Sequence, residues 1–142
     1  MKRCEEIMTP EPICCAPDDT ADHVAHLMKS REIGPVPVVE DRKVVGIVTD
    51  RDLAMKVVAE GRNAKKTMVK EIMTSEVVTC HGGDDVQKAL DAMTQHRVRR
   101  IPVVDQHDLI VGMIAQADVA VKLAEPERLA RMVKEISMSG RR

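Results

Sequence analysis

Two seven-residue segments hold the side chains best suited to binding chemistry: Gly46-Ile47-Val48-Thr49-Asp50-Arg51-Asp52 and Gly112-Met113-Ile114-Ala115-Gln116-Ala117-Asp118. Each ends in a carboxylate, Asp52 or Asp118, near the expected start of a helix, where Asp can cap or charge the helix end. The first segment also has a hydroxyl, Thr49, three residues earlier; the second has only the methyl of Ala115. If the segments bind a ligand, the two copies cannot bind it alike.

Two further clusters invite a chemical reading. Arg97, Arg99 and Arg100 form a local basic patch in a chain whose net charge is −1, so no global field draws it to nucleic acid or anionic lipid. One short cluster without aromatic residues is a poor reader of DNA or RNA, and nucleic acid is not an expected partner. Cys14 and Cys15, with His23 and His26 three apart on one helix face, make a zinc-compatible set of thiol and imidazole. Neighbouring strand residues point to opposite faces, so the expectation is buried cysteines, exposed histidines and no assigned metal. No Ser/His/Asp, paired-carboxylate or cofactor-lysine arrangement is visible, so catalysis has no candidate residues.

The elements that must position these groups come in two copies. Glu6-Ile7-Met8-Thr9 returns as Glu71-Ile72-Met73-Thr74, and Pro37-Val38-Val39-Glu40 returns as Pro102-Val103-Val104-Asp105, each 65 positions later. A chain of 142 residues suits one domain of ordinary size, or two small halves packed intimately. With 44% apolar and 32% charged residues it reads as a folded, soluble chain. No apolar run reaches the roughly 20 residues of a membrane span, and the charged start Met1-Lys2-Arg3-Cys4-Glu5-Glu6 does not resemble a signal peptide. Cytoplasmic residence is the expectation, and Cys4, Cys14, Cys15 and Cys80 are expected as free thiols. Phe, Tyr and Trp are absent, so aliphatic side chains and ten Met must fill the core.

In each repeat, a β-prone stretch (Pro12 to Cys15, Glu76 to Cys80) precedes an amphipathic helix. Val24, Leu27 and Met28 mark the first helix; Val86, Leu90 and Met93 mark the second, behind an apparent Asp84/Gln87 capping box. A hairpin follows, Val36 to Val39 with Val44 to Val48 and Ile101 to Val104 with Leu109 to Ile114. A second helix runs from about Asp50 to Glu60, stopping at Gly61, and its counterpart runs from about Gln116 to before Pro126. Arg62 to Thr67 reads as a link. The expected units are repeat 1 at 1–66, repeat 2 at 67–124, and a helix and tail at 125–142, where Pro126, Leu129, Met132, Val133 and Ile136 set the pattern.

This ordered set of motifs, repeated from Glu6 to Leu123, resembles the tandem cystathionine-β-synthase (CBS) domain pair, or Bateman module. The chain is most similar to the small stand-alone two-CBS proteins, including the hypoxic-response type. The resemblance implies an α+β fold of two β-α-β-β-α repeats whose sheets pack about a pseudo-twofold axis, leaving two clefts. It implies a non-enzymatic regulatory module that binds an adenosine-containing molecule (AMP, ADP, ATP, S-adenosylmethionine, sometimes NAD), with no cofactor required. It also implies a homodimer acting on an unknown client protein.

On that resemblance, Asp52 and Asp118 occupy the position of a ribose-binding carboxylate, where charge-assisted hydrogen bonds from the diol are strong. Thr49 suits a phosphate oxygen and Ala115 does not. Arg99 and Arg100, ahead of the second Pro-Val-Val strand, would supply positive charge to the cleft holding Thr49 and Asp52. Adenine would lie between Ile13 and Val36 in that cleft, and between Val78 and Ile101 in the other. The expected sites are unequal, with hydroxyl, carboxylate and arginines converging on one. The alternative is a structural dimerisation protein with vestigial clefts, binding zinc through Cys and His.

Overall fold

The computed structural model describes residues 2–123, 131 and 133–136. The β-branched runs pair as expected. Val36–Glu40 (β2) lies antiparallel to Lys43–Val48 (β3), from Val36 opposite Val48 to Glu40 opposite Lys43. Asp41 and Arg42 close this hairpin with φ of 52° and 65°, the left-handed pair that a two-residue connection favours because it follows the strands' twist. In the second repeat, Arg100–Val104 (β5) pairs with Ile110–Ala115 (β6). Its longer turn is organised by Asp105, whose Oδ1 accepts from the amides of His107 (2.8 Å) and Leu109 (3.0 Å).

The long helices Ala21–Arg31 (α2) and Val86–His96 (α4) share their boundary chemistry. Thr20 caps α2 by accepting from the His23 amide at 3.1 Å. Asp85, not the expected Asp84, caps α4 by accepting from the Gln87 amide at 3.0 Å. The Asp84 carboxylate instead accepts from the amide of His81 at 2.9 Å. Both helices end on a left-handed residue, Glu32 (φ 54°) and Arg97 (φ 56°). The next amides, of Ile33 and Val98, close back on the Met28 and Met93 carbonyls at 3.1 and 3.0 Å, a Schellman-type end.

The expected leading strands are much shorter than the β-prone stretches. Cys15 makes an isolated parallel bridge to Val38, and the second stretch keeps Cys80–His81 (β4), parallel to β5. The helix after β3 starts as Asp50–Leu53 (α3) and widens to a π turn over Ala54–Val58, and Gly61 follows with φ 65°. Its counterpart is Gln116–Leu123 (α5). Arg62 to Thr67 is more than a link: the Thr67 and Ala64 carbonyls accept from the Ala21 and Asp22 amides at 2.8 and 3.0 Å. Those first-turn amides have no partner inside α2, so the segment supplies one.

The Ile-Met-Thr segments decide how the chain is partitioned. Cys4–Ile7 is a short helix (α1), and Thr9–Pro10 (β1) pairs with β6, Thr9 opposite Met113. Val69–Glu71 is a single 3₁₀ turn, after which Thr74 and Ile47 exchange two backbone hydrogen bonds of 2.9 Å. Each segment therefore edges the hairpin of the other repeat. One compact unit is Ile13–Val77; the other joins Met1–Pro12 to the chain from Val78 onward.

Each unit has its own aliphatic core. Val24, Val36, Val38, Val48, Val69 and Ile72 lie in one; Ile7, Val86, Met93, Ile101, Val103 and Ile114 lie in the other. Of the expected carboxy-terminal helix, Pro126, Leu129 and Met132 lie outside the described residues. Val133 is exposed, and Ile136 is buried against the second core.

Candidate functional site

The strand β3 delivers Thr49 to the cap position of α3, and Asp52 follows three residues later. The two form a capping box: the Asp52 amide donates to Thr49 Oγ1 at 3.2 Å, and the Thr49 amide donates to Asp52 Oδ2 at 2.9 Å. The Thr49 hydroxyl also donates to Oδ2, at 3.2 Å. The hydroxyl expected to suit a phosphate oxygen is thus paired with Asp52 in this structure. In this arrangement Thr49 orients the carboxylate.

The other carboxylate oxygen has a partner that the motif reading missed. Lys56, one helical turn on, places its ammonium 3.1 Å from Asp52 Oδ1 and donates to the Ile72 carbonyl at 2.9 Å. The Asp52 side chain is 13% exposed, so this i,i+4 pair is less screened than a surface pair. The signal was present in the sequence, since Lys122 stands in the same column of the other repeat.

The second copy is simpler. Asp118 Oδ2 accepts from the Ala115 amide at 3.0 Å, with no hydroxyl to add a bond. Lys122 donates to the Ile7 carbonyl at 2.7 Å, and among the described residues it makes no ion pair with Asp118. Arg99 and Arg100 are both exposed, in the unit that holds Asp118, and the Arg99 carbonyl accepts from the Gln116 amide at 2.8 Å. The Thr49–Asp52 pair belongs to the other unit.

The four apolar residues expected around adenine divide. Ile13 and Val78 are half-buried, with surface left to offer. Val36 and Ile101 are 0% and 1% exposed, because their strands turn these positions into the cores. As the protein stands, they present no face to a ligand.

The cysteine and histidine set does not assemble. Cys15 is buried, His23 and His26 are exposed on α2, and no group of three or more metal-ligating side chains occurs among the described residues. Burial, the nearby Asp19 carboxylate and the neighbouring Cys14 push the Cys15 thiol up to about 12. Burial likewise raises the Cys14 thiol.

Comparison with known proteins places these features in a family. The CBS domain matches twice, over residues 4–59 and 69–125. The chain is 36% identical over 137 residues to the CBS domain-containing protein YhcV of Bacillus subtilis, covering 96% of each chain. Among solved structures it superposes on hypoxic response protein I with two coordinated zinc ions at a TM-score of 0.76 and 29% identity, covering 84% of this chain and 98% of that one. The CBS domain pair of protein MJ0100, in complex with 5′-methylthioadenosine and S-adenosyl-L-methionine, gives a TM-score of 0.76 at 26% identity, covering 87% and 97%. Two matched repeats, each carrying the hairpin, the helix-start carboxylate and the carbonyl-binding lysine, show that the chain belongs to the CBS domain family, as a regulatory CBS pair.

Proposed function

We propose that the protein is a non-enzymatic sensor of an adenosine-containing molecule, an adenine nucleotide or S-adenosylmethionine, bound chiefly through Asp52. The observation that carries this reading is the Thr49–Asp52 box, which presents a largely desolvated carboxylate with Oδ2 fixed by two donors. A fixed carboxylate of this kind accepts a ribose diol with little loss of side-chain freedom. Ile13 is the proposed apolar contact of a base beside Asp52, and Val78 that of a base beside Asp118, the weaker second carboxylate; Arg99 and Arg100 are proposed as counter-charges for phosphates. The adenosine compounds held by the MJ0100 pair support this ligand class.

Titration calorimetry with AMP, ATP and S-adenosylmethionine tests the reading. At least one is expected to bind and raise the melting temperature; at one hundred times Kd the stabilisation is about 2.7 kcal/mol. No heat and no thermal shift with any of the three at millimolar concentration overturns it.

The output is proposed to pass through a homodimer to a client protein, with binding biasing one of two arrangements. The helix after each Thr/Ala-x-x-Asp segment exposes apolar side chains, Met55 at 55% and Val58 at 76% in one repeat, Val121 at 81% in the other. Met55 and Val121 occupy the same column. Light scattering is expected to give a dimer for the parent chain and a monomer for Met55→Asp with Val121→Asp; a variant that stays dimeric overturns the use of these helices.

A further inference from the structure

Cys4 and Cys80 are far apart in the chain and meet in the core that holds Ile7 and Ile101. Cys4 opens α1 and Cys80 opens β4, and the helix packs on the strand. The two residues are 0% and 3% exposed. Their side chains are in hydrogen-bond contact, the Cys80 thiol donating to the Cys4 sulfur.

Backbone bonds hold both residues where they are. Cys80 stands opposite Val103 on β5, and the Gly82 amide donates to the Val104 carbonyl at 2.9 Å. From the other side, the Cys4 and Glu5 amides donate to the Asp84 and Gly82 carbonyls, each at 2.9 Å. Both cysteines are therefore anchored to one turn, with their sulfurs already together. A disulfide demands that closeness before any backbone movement.

The pair is also unequal. The hydrogen bond from Cys80 holds the Cys4 thiol below its ordinary value, against burial and the Asp84 and Asp85 carboxylates, and the same bond with burial pushes the Cys80 thiol up. The thiolate is the nucleophile, so Cys4 reacts first. Access comes through α1, which is four residues long with Glu5 and Glu6 exposed. A single helical turn has little stability of its own, and its local opening uncovers both sulfurs.

We propose that Cys4 and Cys80 are a redox modification site, converted to a disulfide by a peroxide. With hydrogen peroxide, the Cys4 thiolate attacks one oxygen, the O–O bond breaks, and the leaving hydroxide takes the proton that Cys4 gave up. Cys4 is then a sulfenic acid and one water has left. The Cys80 sulfur attacks the Cys4 sulfur, the S–O bond breaks, and the departing hydroxide takes the Cys80 proton as a second water. Two thiols are oxidised by two electrons, and one peroxide is reduced to two waters. A small dithiol reverses the bond by exchange. The closed loop runs from residue 4 to residue 80 and contains the whole Ile13–Val77 unit, with Thr49 and Asp52 in it. Closing so long a loop constrains the unfolded chain strongly and stabilises the folded one.

The test treats the full chain with hydrogen peroxide, maps its peptides without reduction and records the melting temperature. A Cys4–Cys80 cross-linked peptide is expected, with melting about 5–15 °C above the untreated protein, and dithiothreitol reverses both. Cys14→Ala is expected to cross-link like the parent. Cys80→Ala is expected to give no cross-link and no rise in melting, and to carry a sulfenic acid on Cys4 that dimedone traps. A map in which Cys4 and Cys80 stay free, are oxidised separately, or bond to Cys14 or Cys15 overturns the site. That measurement needs only the parent protein and decides even if Cys80→Ala fails to fold. A cross-link without a rise in melting overturns the stabilising role, and Cys80→Ala without a trapped Cys4 overturns the order of attack.

Discussion

Gly46→Ala is expected to lower the melting temperature by about 3–10 °C, and Gly83→Ala to leave it within about 1 °C of the parent. A Cβ built on Gly46 collides with the Met73 thioether sulfur and stands 2.9 Å from Met73 Cγ and 3.0 Å from the Thr74 carbonyl oxygen. The methionine can swing away; the carbonyl cannot, because Thr74 is bonded to Ile47 on both sides. Overpacking of this kind costs about 1–3 kcal/mol, which sets the quoted range. Gly83 has nothing within 4 Å and carries no such constraint.

The same collision recurs at Gly112, where the added carbon would lie 2.8 Å from Met8 Cγ and 2.9 Å from the Thr9 carbonyl oxygen. Gly112→Ala is expected to match Gly46→Ala within a factor of about two. Thermal scans of the three variants make the comparison. A Gly46→Ala protein that melts with the parent would mean that the methionine segment withdraws from β3 at no cost.

Asp52→Ala is expected to weaken nucleotide binding by about 10- to 100-fold, and Asp118→Ala by less than about tenfold. A hydrogen bond to a charged group contributes about 1.5–3 kcal/mol, and each 1.4 kcal/mol is a factor of ten. The Asp52 carboxylate is oriented by three contacts, two from Thr49 and one from Lys56, whereas that of Asp118 is held by the Ala115 amide. A carboxylate already held in place gives up less freedom on binding, so its removal costs more.

Asp52→Ala also removes the return half of the capping box, the bond from the Thr49 amide, at about 0.5–1.5 kcal/mol of stability. Asp52→Asn separates the two effects, since a neutral amide oxygen still accepts from the Thr49 amide but lacks the charge. That variant is expected to melt near the parent and to bind nucleotide as weakly as Asp52→Ala. Equal affinity losses at Asp52 and Asp118 would overturn the asymmetry between the two repeats.

Much of the fold was legible because it rests on local rules. The hairpins followed from the β-branched runs, whereas the left-handed pair Asp41 and Arg42 that closes the first did not, since Arg has no special tolerance of positive φ. The helices α2 and α4 followed from apolar spacing, and their ends needed only a cap and a left-handed residue. The Asp84 cap was misplaced by one position because adjacent aspartates are equivalent to a spacing rule. Only the backbone path decides which of them can reach a first-turn amide.

The site was legible as residue types and not as states. Thr49 and Asp52 were identified by spacing, but the direction of the hydroxyl proton depends on the distance between two side chains. The inward placement of Val36 and Ile101 depends on which face of each strand meets a core. Lys56 stood one turn after Asp52, within reach of a spacing rule, but its bond to the Ile72 carbonyl, 16 residues on, exists only in the folded chain.

By itself, the sequence determined the duplication, the hairpins, the paired helices and the unequal chemistry of the columns Thr49/Ala115 and Asp52/Asp118. Each of these is a short-range property, set by side chains within a turn or two of one another. Only the tertiary structure decided that each Ile-Met-Thr segment edges the hairpin of the other repeat, and that Lys56 ties Asp52 to Ile72 while Lys122 reaches only Ile7. Those choices are made by strand-edge hydrogen bonds and by the hole a glycine leaves for a methionine. Such complementarity exists only once distant parts of the chain have met.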